Sequence, residues 1–154
     1  MDFTQFLDAG AVEADLAVAN KKALFQTLGA LAERRLGLAA REVTDRLLER
    51  ERLGTTGFGG GVAIPHGRLA GLETIRAAFV RLEKPIDYGA IDDLPVDLVF
   101  MLVSPEDAGA DHLKALAQVS RRLRDRAFVA KLRGAGSTDA LYALFASAET
   151  RDAA

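Results

Sequence analysis

Residues 96–103 constrain the fold of this 154-residue chain more than any other part, because they form its longest apolar run. Pro95 opens the run, and Ser104 and Pro105 end it. Its apolar residues do not alternate with polar ones, as they would in a strand with one face in water. We therefore predict a strand that is buried on both faces and lies at the centre of a β-sheet.

The rest of the chain alternates between helix and strand patterns. Besides the central run, strands are predicted at 12–18 (a weak edge strand), 62–64 and 75–82, with a loop at 85–89. Helices are predicted as a short turn at 3–8 and at 20–36 (N-cap Asn20), 40–53, 110–124, 126–133 and 137–148. This order predicts an α/β fold in which helices flank both sides of one mixed sheet.

Length and composition indicate one domain that covers residues 1–154, with a frayed tail at about 149–154. A net charge of −2 and a pI near 5.7 argue against nucleic-acid binding, which needs a concentrated basic surface. The absence of cysteine excludes disulfides and thiol chemistry. No stretch approaches the roughly 20 apolar residues of a membrane span, and the start lacks signal-peptide features. We expect a cytoplasmic protein without direct membrane insertion.

Residues 54–68 combine many glycines with a proline and a histidine. Glycines at 57, 59, 60 and 61 permit positive φ angles and leave backbone N–H groups free to face an anion. The short apolar strand at 62–64 and the rigid Pro65 then deliver His66 at a strand end with little backbone freedom. His66 is therefore the leading candidate for a functional residue.

Other chemistries find little support. Val62 breaks the G-x-G-x-x-G pattern, and neither a G-x-x-x-x-G-K-[ST] loop nor a G-x-S-x-G motif occurs. Two histidines with scattered carboxylates match no zinc spacing, so we expect no metal and no cofactor. Two further residues stay ambiguous by residue type: Arg50 can be a solvated helix arginine, and His112 a surface histidine near a helix start.

The run Ala-Ile-Pro-His-Gly at residues 63–67 resembles the phosphorylation-site signature of the type-2 enzyme IIA domains of the bacterial phosphotransferase system. That family serves fructose, mannitol and nitrogen regulation. The resemblance extends over residues 50–57, 93–97 and 111–116, and so covers nearly the whole chain. Segments 54–59 and 112–114 look most similar to the nitrogen-regulatory branch.

The resemblance implies a phosphotransferase-type phosphocarrier in which His66 becomes phosphorylated. Arg50, sixteen positions before His66, matches the active-site arginine of the family, and His112 matches a histidine beside the phosphorylated one. Such a site needs donors for three phosphoryl oxygens and nearby positive charge. The predicted phosphoryl-binding groups are those of Thr55, Thr56 and Gly57.

The resemblance also implies the partners. The donor would be a histidine-containing phosphocarrier protein. Nitrogen-regulatory members use the phosphorylation state to control target proteins of nitrogen and potassium metabolism, whereas sugar-specific members pass the phosphoryl group to a IIB domain of a permease. We expect the regulatory output, because residues 1–154 include no IIB domain and no membrane segment. A sugar-specific carrier and a non-transferring binding module remain alternatives, and a histidine-based hydrolase or metal protein is a weaker one.

Overall fold

The structure is a computed structural model, which describes the backbone of residues 2–153 and the side chains of residues 2–147. The helices are a 3-10 turn at Phe3–Gln5, α1 (Lys21–Leu36), α2 (Ala40–Glu51), α3 (Ala110–Leu123), α4 (Arg126–Gly134) and α5 (Thr138–Ala153). The strands are β1 (Leu7–Leu16), β2 (Gly57–Gly59), β3 (Val62–Ala63), β4 (His66–Leu69), β5 (Arg76–Ile86) and β6 (Val96–Pro105).

The six strands form one mixed sheet in the order β1-β5-β6-β3-β2, and β4 also pairs with β6. Strand β6 runs antiparallel to β5 and parallel to β3 and β4, while β1 and β5 are parallel. The side chains from Leu98 to Val103 are all completely buried. The predicted central strand and the predicted mixed sheet are therefore confirmed.

Helices cover both faces of the sheet, as predicted. Helices α1 and α2 pack on one face, where Val99 and Met101 of β6 belong to their core. Helices α3, α4 and α5 pack on the other face, where Phe100 and Leu102 belong to the second core. Because successive side chains of a strand point to opposite faces, β6 supplies both cores in alternation.

The helix limits follow local capping signals. Asn20 caps α1 through a bond from the Ala23 N–H, and Asp125 caps α4 through bonds from the Ala127 and Phe128 N–H groups. Side-chain oxygens satisfy N–H groups that have no partner inside the helix. Helix α5 continues to Ala153, beyond the predicted end at residue 148, and fraying of the tail stays a prediction.

The N-terminal prediction was wrong in part. The helical turn ends at Gln5, and β1 begins at Leu7 rather than at residue 12. The reason is pairing across the chain: Leu7 is in register with Ala77 of β5, whose N–H donates to the Phe6 carbonyl. These contacts outweigh a weak local helix pattern.

Strand β5 was predicted to end before Pro85, yet it continues through Pro85 to Ile86. Proline lacks an N–H and is tolerated in a strand only where no ladder bond is required. The pairing with β1 has ended by Leu82, and the register with β6 shifts between Arg81 and Ile86. Pro85 therefore sits where the ladder is already interrupted.

Two short strands, β2 and β4, were not predicted. They arise in the glycine-rich segment, where β2 pairs antiparallel with β3 and β4 pairs parallel with β6. No helix within residues 2–153 is long and apolar enough to cross a membrane.

Candidate active site

His66 is the first residue of β4 and lies in register with Leu102 of the central strand. The N–H of Leu102 donates to the carbonyl of Pro65 at 3.0 Å, which anchors the backbone directly before the histidine. His66 follows the short strand β3, as predicted, but it also begins a further strand, β4, that the sequence did not predict. His66 therefore pairs with a strand that is buried on both faces.

One hydrogen bond defines the protonation pattern of the His66 ring. Its Nδ1 lies 2.8 Å from the carbonyl oxygen of Ile64. A carbonyl oxygen can only accept, so Nδ1 carries the proton. In the neutral ring the other nitrogen, Nε2, then holds a free lone pair, so it is the ring atom available to act as a base or a nucleophile.

The surroundings of His66 favour its neutral form. Burial lowers the pKa of the ring below its ordinary value, and the positive charge of Arg50 lowers it further. The bond to Ile64 and the charge of Glu51 act in the opposite direction but do not compensate. His66 is therefore neutral at neutral pH, as a nitrogen nucleophile has to be.

His112 lies in the first turn of α3 and faces His66. The two ring centroids are 5.7 Å apart, with an angle of 48° between the ring planes. His112 is buried, and its Nδ1 shares a 2.6 Å hydrogen bond with the hydroxyl of Ser104. Burial lowers its pKa to about 4, with help from the charges of Arg68 and His66. The sequence-based pairing of the two histidines is what the fold produces.

Arg50 lies in the last turn of α2, half-buried beside the same histidine. Its Nη1 donates to the carbonyl of Gly54 at 2.9 Å, which holds the side chain across the start of the glycine-rich segment. Guanidinium groups have five donors, so this bond leaves others for an anion. Arg50 and both histidines line one open cavity of about 630 Å³, called the His66 cavity below.

A second arginine, Arg68, also lines the His66 cavity and was missed at the sequence level. Residues two apart on a strand point to the same face, and Arg68 follows His66 at that spacing on β4. Its Nη1 makes one long bond, 3.3 Å, to the carbonyl of Glu106. The cavity thus has a cation on the α2 side and another on the β4 side.

The three predicted phosphoryl-binding residues occupy different environments. Thr56 is buried, and both its N–H and its hydroxyl contact Glu51, at 3.0 and 2.5 Å. The Gly57 N–H donates to the hydroxyl oxygen of Thr55 at 3.1 Å. The N–H and hydroxyl of Thr56 and the N–H of Gly57 therefore bond within the protein. The hydroxyl proton of Thr55 is the group that remains to bind an anion. Phosphoryl binding by these residues stays a prediction.

The glycine turn after β2 binds a carboxylate of the protein itself. Gly59, Gly60 and Gly61 all have positive φ angles, as expected for glycine. The Gly60 N–H donates to Asp92 at 2.9 Å, and the Gly60 carbonyl accepts from Arg133 at 2.8 Å. The anion that faces the Gly60 N–H is therefore Asp92, because the loop before β6 packs beside the turn.

Glu51 connects α2, α1 and the loop under the cavity. Its carboxylate accepts from Lys21 at 2.8 Å, from Thr56, and from Tyr88 at 3.3 Å. Burial works against the charged form, but the bonds from Lys21 and Thr56 outweigh it and lower the pKa of Glu51. This ionised cluster fixes the residue that follows Arg50 in the chain, and so helps to hold Arg50 at the cavity.

Known proteins share this arrangement of elements. The sequence profile of the family described as "Phosphoenolpyruvate-dependent sugar phosphotransferase system, EIIA 2" matches residues 5–148. A nitrogen regulatory protein of Bradyrhizobium diazoefficiens is 48% identical over 146 residues, which cover 95% of each chain. A nitrogen regulatory protein of Escherichia coli is 42% identical over 132 residues, which cover 84% of this chain and 80% of the relative.

Solved structures agree with the sequence comparisons. The crystal structure of nitrogen regulatory protein IIA-Ntr from Neisseria meningitidis has a TM-score of 0.86 and 36% identity, and covers 92% of this chain and 97% of its own. The IIA mannitol structure from Escherichia coli has a TM-score of 0.73 at 20% identity, with coverage of 90% and 98%. At that identity the likeness concerns the fold alone.

Proposed function

This chain belongs to the EIIA type-2 family of the phosphoenolpyruvate-dependent sugar phosphotransferase system, and we propose that it carries a phosphoryl group on Nε2 of His66. The observation that carries the proposal is the hydrogen bond from Nδ1 of His66 to the Ile64 carbonyl. That bond leaves Nε2 as a lone-pair nitrogen at the cavity. The donor would be a phosphohistidine of a histidine-containing phosphocarrier protein, in the cytoplasm.

The proposed step is a direct exchange of one nitrogen–phosphorus bond for another. The lone pair of His66 Nε2 forms a bond to phosphorus while the bond to the donor imidazole breaks, and that electron pair stays on the donor nitrogen. His66 keeps its Nδ1 proton throughout, and the Ile64 carbonyl stabilises the positive charge that develops on the ring. No other proton, metal or nucleotide is needed to balance this step.

Charge at the His66 cavity suits a phosphoryl group in transit. Its three peripheral oxygens carry negative charge, which fixed donors and cations stabilise. Arg50 and Arg68 approach from two elements, and His112 faces the nucleophile from a third. Helix α3 begins there without a side-chain cap, so its N-terminal dipole adds to the positive potential.

A partner protein can dock on apolar groups at the rim of the cavity. Leu53 is 83% exposed and Leu113 is 63% exposed, and both line the cavity that holds His66. Large exposed apolar side chains near a functional group favour association with another protein. Transfer between two histidines requires such contact, because both rings must reach one phosphorus atom.

We assign the output to regulation of nitrogen metabolism on the basis of the nitrogen regulatory relatives. Control of potassium metabolism is added only by the family resemblance described above. Phosphorylation adds about two negative charges beside Leu53 and Leu113. A target that covers these leucines must then bury that charge, so the unphosphorylated form should be the binding form. The alternative is transfer to a IIB domain, since a structural neighbour is a complex of enzyme IIA mannitol with a phosphorylated IIB protein.

The test of the carrier proposal is phosphorylation from phosphoenolpyruvate through the general phosphotransferase proteins. Wild-type protein should gain one phosphoryl group with an acid-labile, base-stable bond, and His66→Ala should gain none. His112→Ala is the matched control, because it removes the second imidazole of the cavity and should slow labelling without abolishing it. Label on His66→Ala would contradict the proposal.

The output is tested by binding to candidate partners in two forms of the protein. Regulatory targets should bind wild type and His66→Ala and should bind the phosphorylated protein poorly. A purified IIB domain should accept no phosphoryl group at a useful rate. Fast transfer to a IIB domain, together with target binding that ignores phosphorylation, would favour the sugar-transport alternative.

A further inference from the structure

Ser104 is a polar side chain at a position where burial is complete. It lies near the end of β6, where the buried side chains before it are apolar. None of its surface is exposed. A buried hydroxyl costs stability unless it is hydrogen-bonded. Its partner is His112, whose Nδ1 lies 2.6 Å from the hydroxyl oxygen. The rigid central strand therefore holds the second histidine of the cavity directly.

The two histidines differ in what their Nδ1 atoms face. The Nδ1 of His66 faces a carbonyl, which can only accept, whereas the Nδ1 of His112 faces a hydroxyl, which can donate or accept. His112 is neutral, since burial lowers its pKa to about 4. Its single proton is therefore on Nδ1 or on Nε2. Among the described residues, His112 is the hydrogen-bond partner of the fully buried Ser104 hydroxyl, so the hydroxyl hydrogen is paired only when it points at Nδ1.

We propose that Ser104 is a positioning residue, which donates its hydroxyl hydrogen to Nδ1 of His112 and so keeps the proton of that ring on Nε2. This proposal rests on the function proposed above. A phosphoryl group on His66 presents anionic oxygens between the two rings. An Nε2–H on His112 attracts those oxygens, whereas a lone pair on the same atom repels them.

The arrangement gives the two histidines complementary roles at neutral pH. His66 has its proton on Nδ1 and a lone pair on Nε2 for attack, whereas His112 has a lone pair on Nδ1 and a donor on Nε2. Ser104 exchanges no proton with the phosphoryl group and touches none of the reacting atoms. It acts through His112, by setting which nitrogen of that ring is the donor.

The experiment is long-range proton–nitrogen NMR on unphosphorylated protein with ¹⁵N-labelled histidine at pH 7. In wild type the Nε2 of His112 should be protonated, and in Ser104→Ala the ring should become a mixture of tautomers. His66 serves as the internal control, because Ile64 fixes its tautomer in both proteins. Ser104→Thr retains the hydroxyl and should restore the wild-type pattern.

The rate of phosphoryl uptake supplies the second readout. Ser104→Ala should lose about two- to tenfold, because only part of the protein then has the competent tautomer and the ring is held less firmly. Ser120→Ala is the matched control: it removes a hydroxyl from α3 that bonds Arg124, and it should label like wild type.

Two results would overturn this role. One is a wild-type His112 that is protonated on Nδ1, which decides the question even where Ser104→Ala does not fold. The other is a folded Ser104→Ala with unchanged tautomer and rate. Both differ from failure of the proposed function, which would appear as a wild-type protein that takes no label on His66.

Discussion

Acidification should destabilise this protein through His112, and the size of the effect can be worked out. The ordinary pKa of a histidine is 6.5, whereas burial and the charges of Arg68 and His66 lower that of His112 to about 4. This gap corresponds to about 3 kcal/mol of preference for the neutral ring in the folded state. The unfolded chain binds the proton more readily, so stability falls as pH falls between the two pKa values.

Between pH 7 and pH 5 the loss from this one group should be about 2 kcal/mol. The assay is urea unfolding at a series of pH values, for wild type and for His112→Gln. Glutamine retains an N–H donor but does not titrate, so the variant should lack this part of the pH dependence. The contribution of Glu51 occurs in both proteins and largely cancels in the difference.

An NMR titration of the same ring checks the cause. The chemical shift of His112 should change with a midpoint near pH 4 in the folded protein. A midpoint near 6.5 would mean that the ring is not buried as the structure has it. Parallel stability curves for wild type and His112→Gln would refute the reasoning in the same way.

Two further predictions concern the cation of β4 and the glycine turn. Arg68→Gln should slow phosphoryl uptake by about tenfold, a value reduced because solvent screens a half-exposed cation. Arg41→Gln removes a charge outside the His66 cavity and should leave the rate unchanged. If both variants take up the phosphoryl group at the same rate, Arg68 has no role in uptake. Gly61→Ala should destabilise by about 2 kcal/mol, because φ is +82° and the new Cβ would displace the Arg133 guanidinium from its bonds to Asp97 and Gly60. Gly60→Ala, with similar φ but open space, should cost less in urea unfolding.

Much of the fold could be predicted because its signals are local. The apolar run that became β6 implies a strand buried on both faces wherever it lies in the chain. Asn20 caps a helix through its own side chain, so the start of α1 needed no distant partner. The course of β5 through Pro85 did not follow from local signals, since it depends on where β1 ends beside it.

The candidate site shows the same division. His66 was identified from residue type, position and resemblance, and Arg50 and His112 from the resemblance alone. The fold brings all three to one cavity. Arg68 could have been found by extending the strand beyond His66, which puts residues two apart on one face. Ser104 could not, because a serine before a proline indicates only the end of a strand.

The predicted use of the backbone N–H groups shows why distant partners matter. Free glycine N–H groups suggested an anion site. The Gly60 N–H instead donates to the carboxylate of Asp92, which lies in a loop more than thirty residues later. Phosphoryl binding by Thr56 stays a prediction, and in the unphosphorylated protein both of its donors contact Glu51. The first contact depends on how the sheet brings two distant loops together, whereas the second joins residues only five apart, at the end of α2.

The most direct test of the account is to identify the phosphorylated atom. Protein with ¹⁵N-labelled histidine, phosphorylated from phosphoenolpyruvate, should show by NMR a phosphorus atom bonded to Nε2 of His66 and a proton on its Nδ1. That result follows from the 2.8 Å contact between Nδ1 and the Ile64 carbonyl. Phosphorus on Nδ1 of His66, or on His112, would contradict the account.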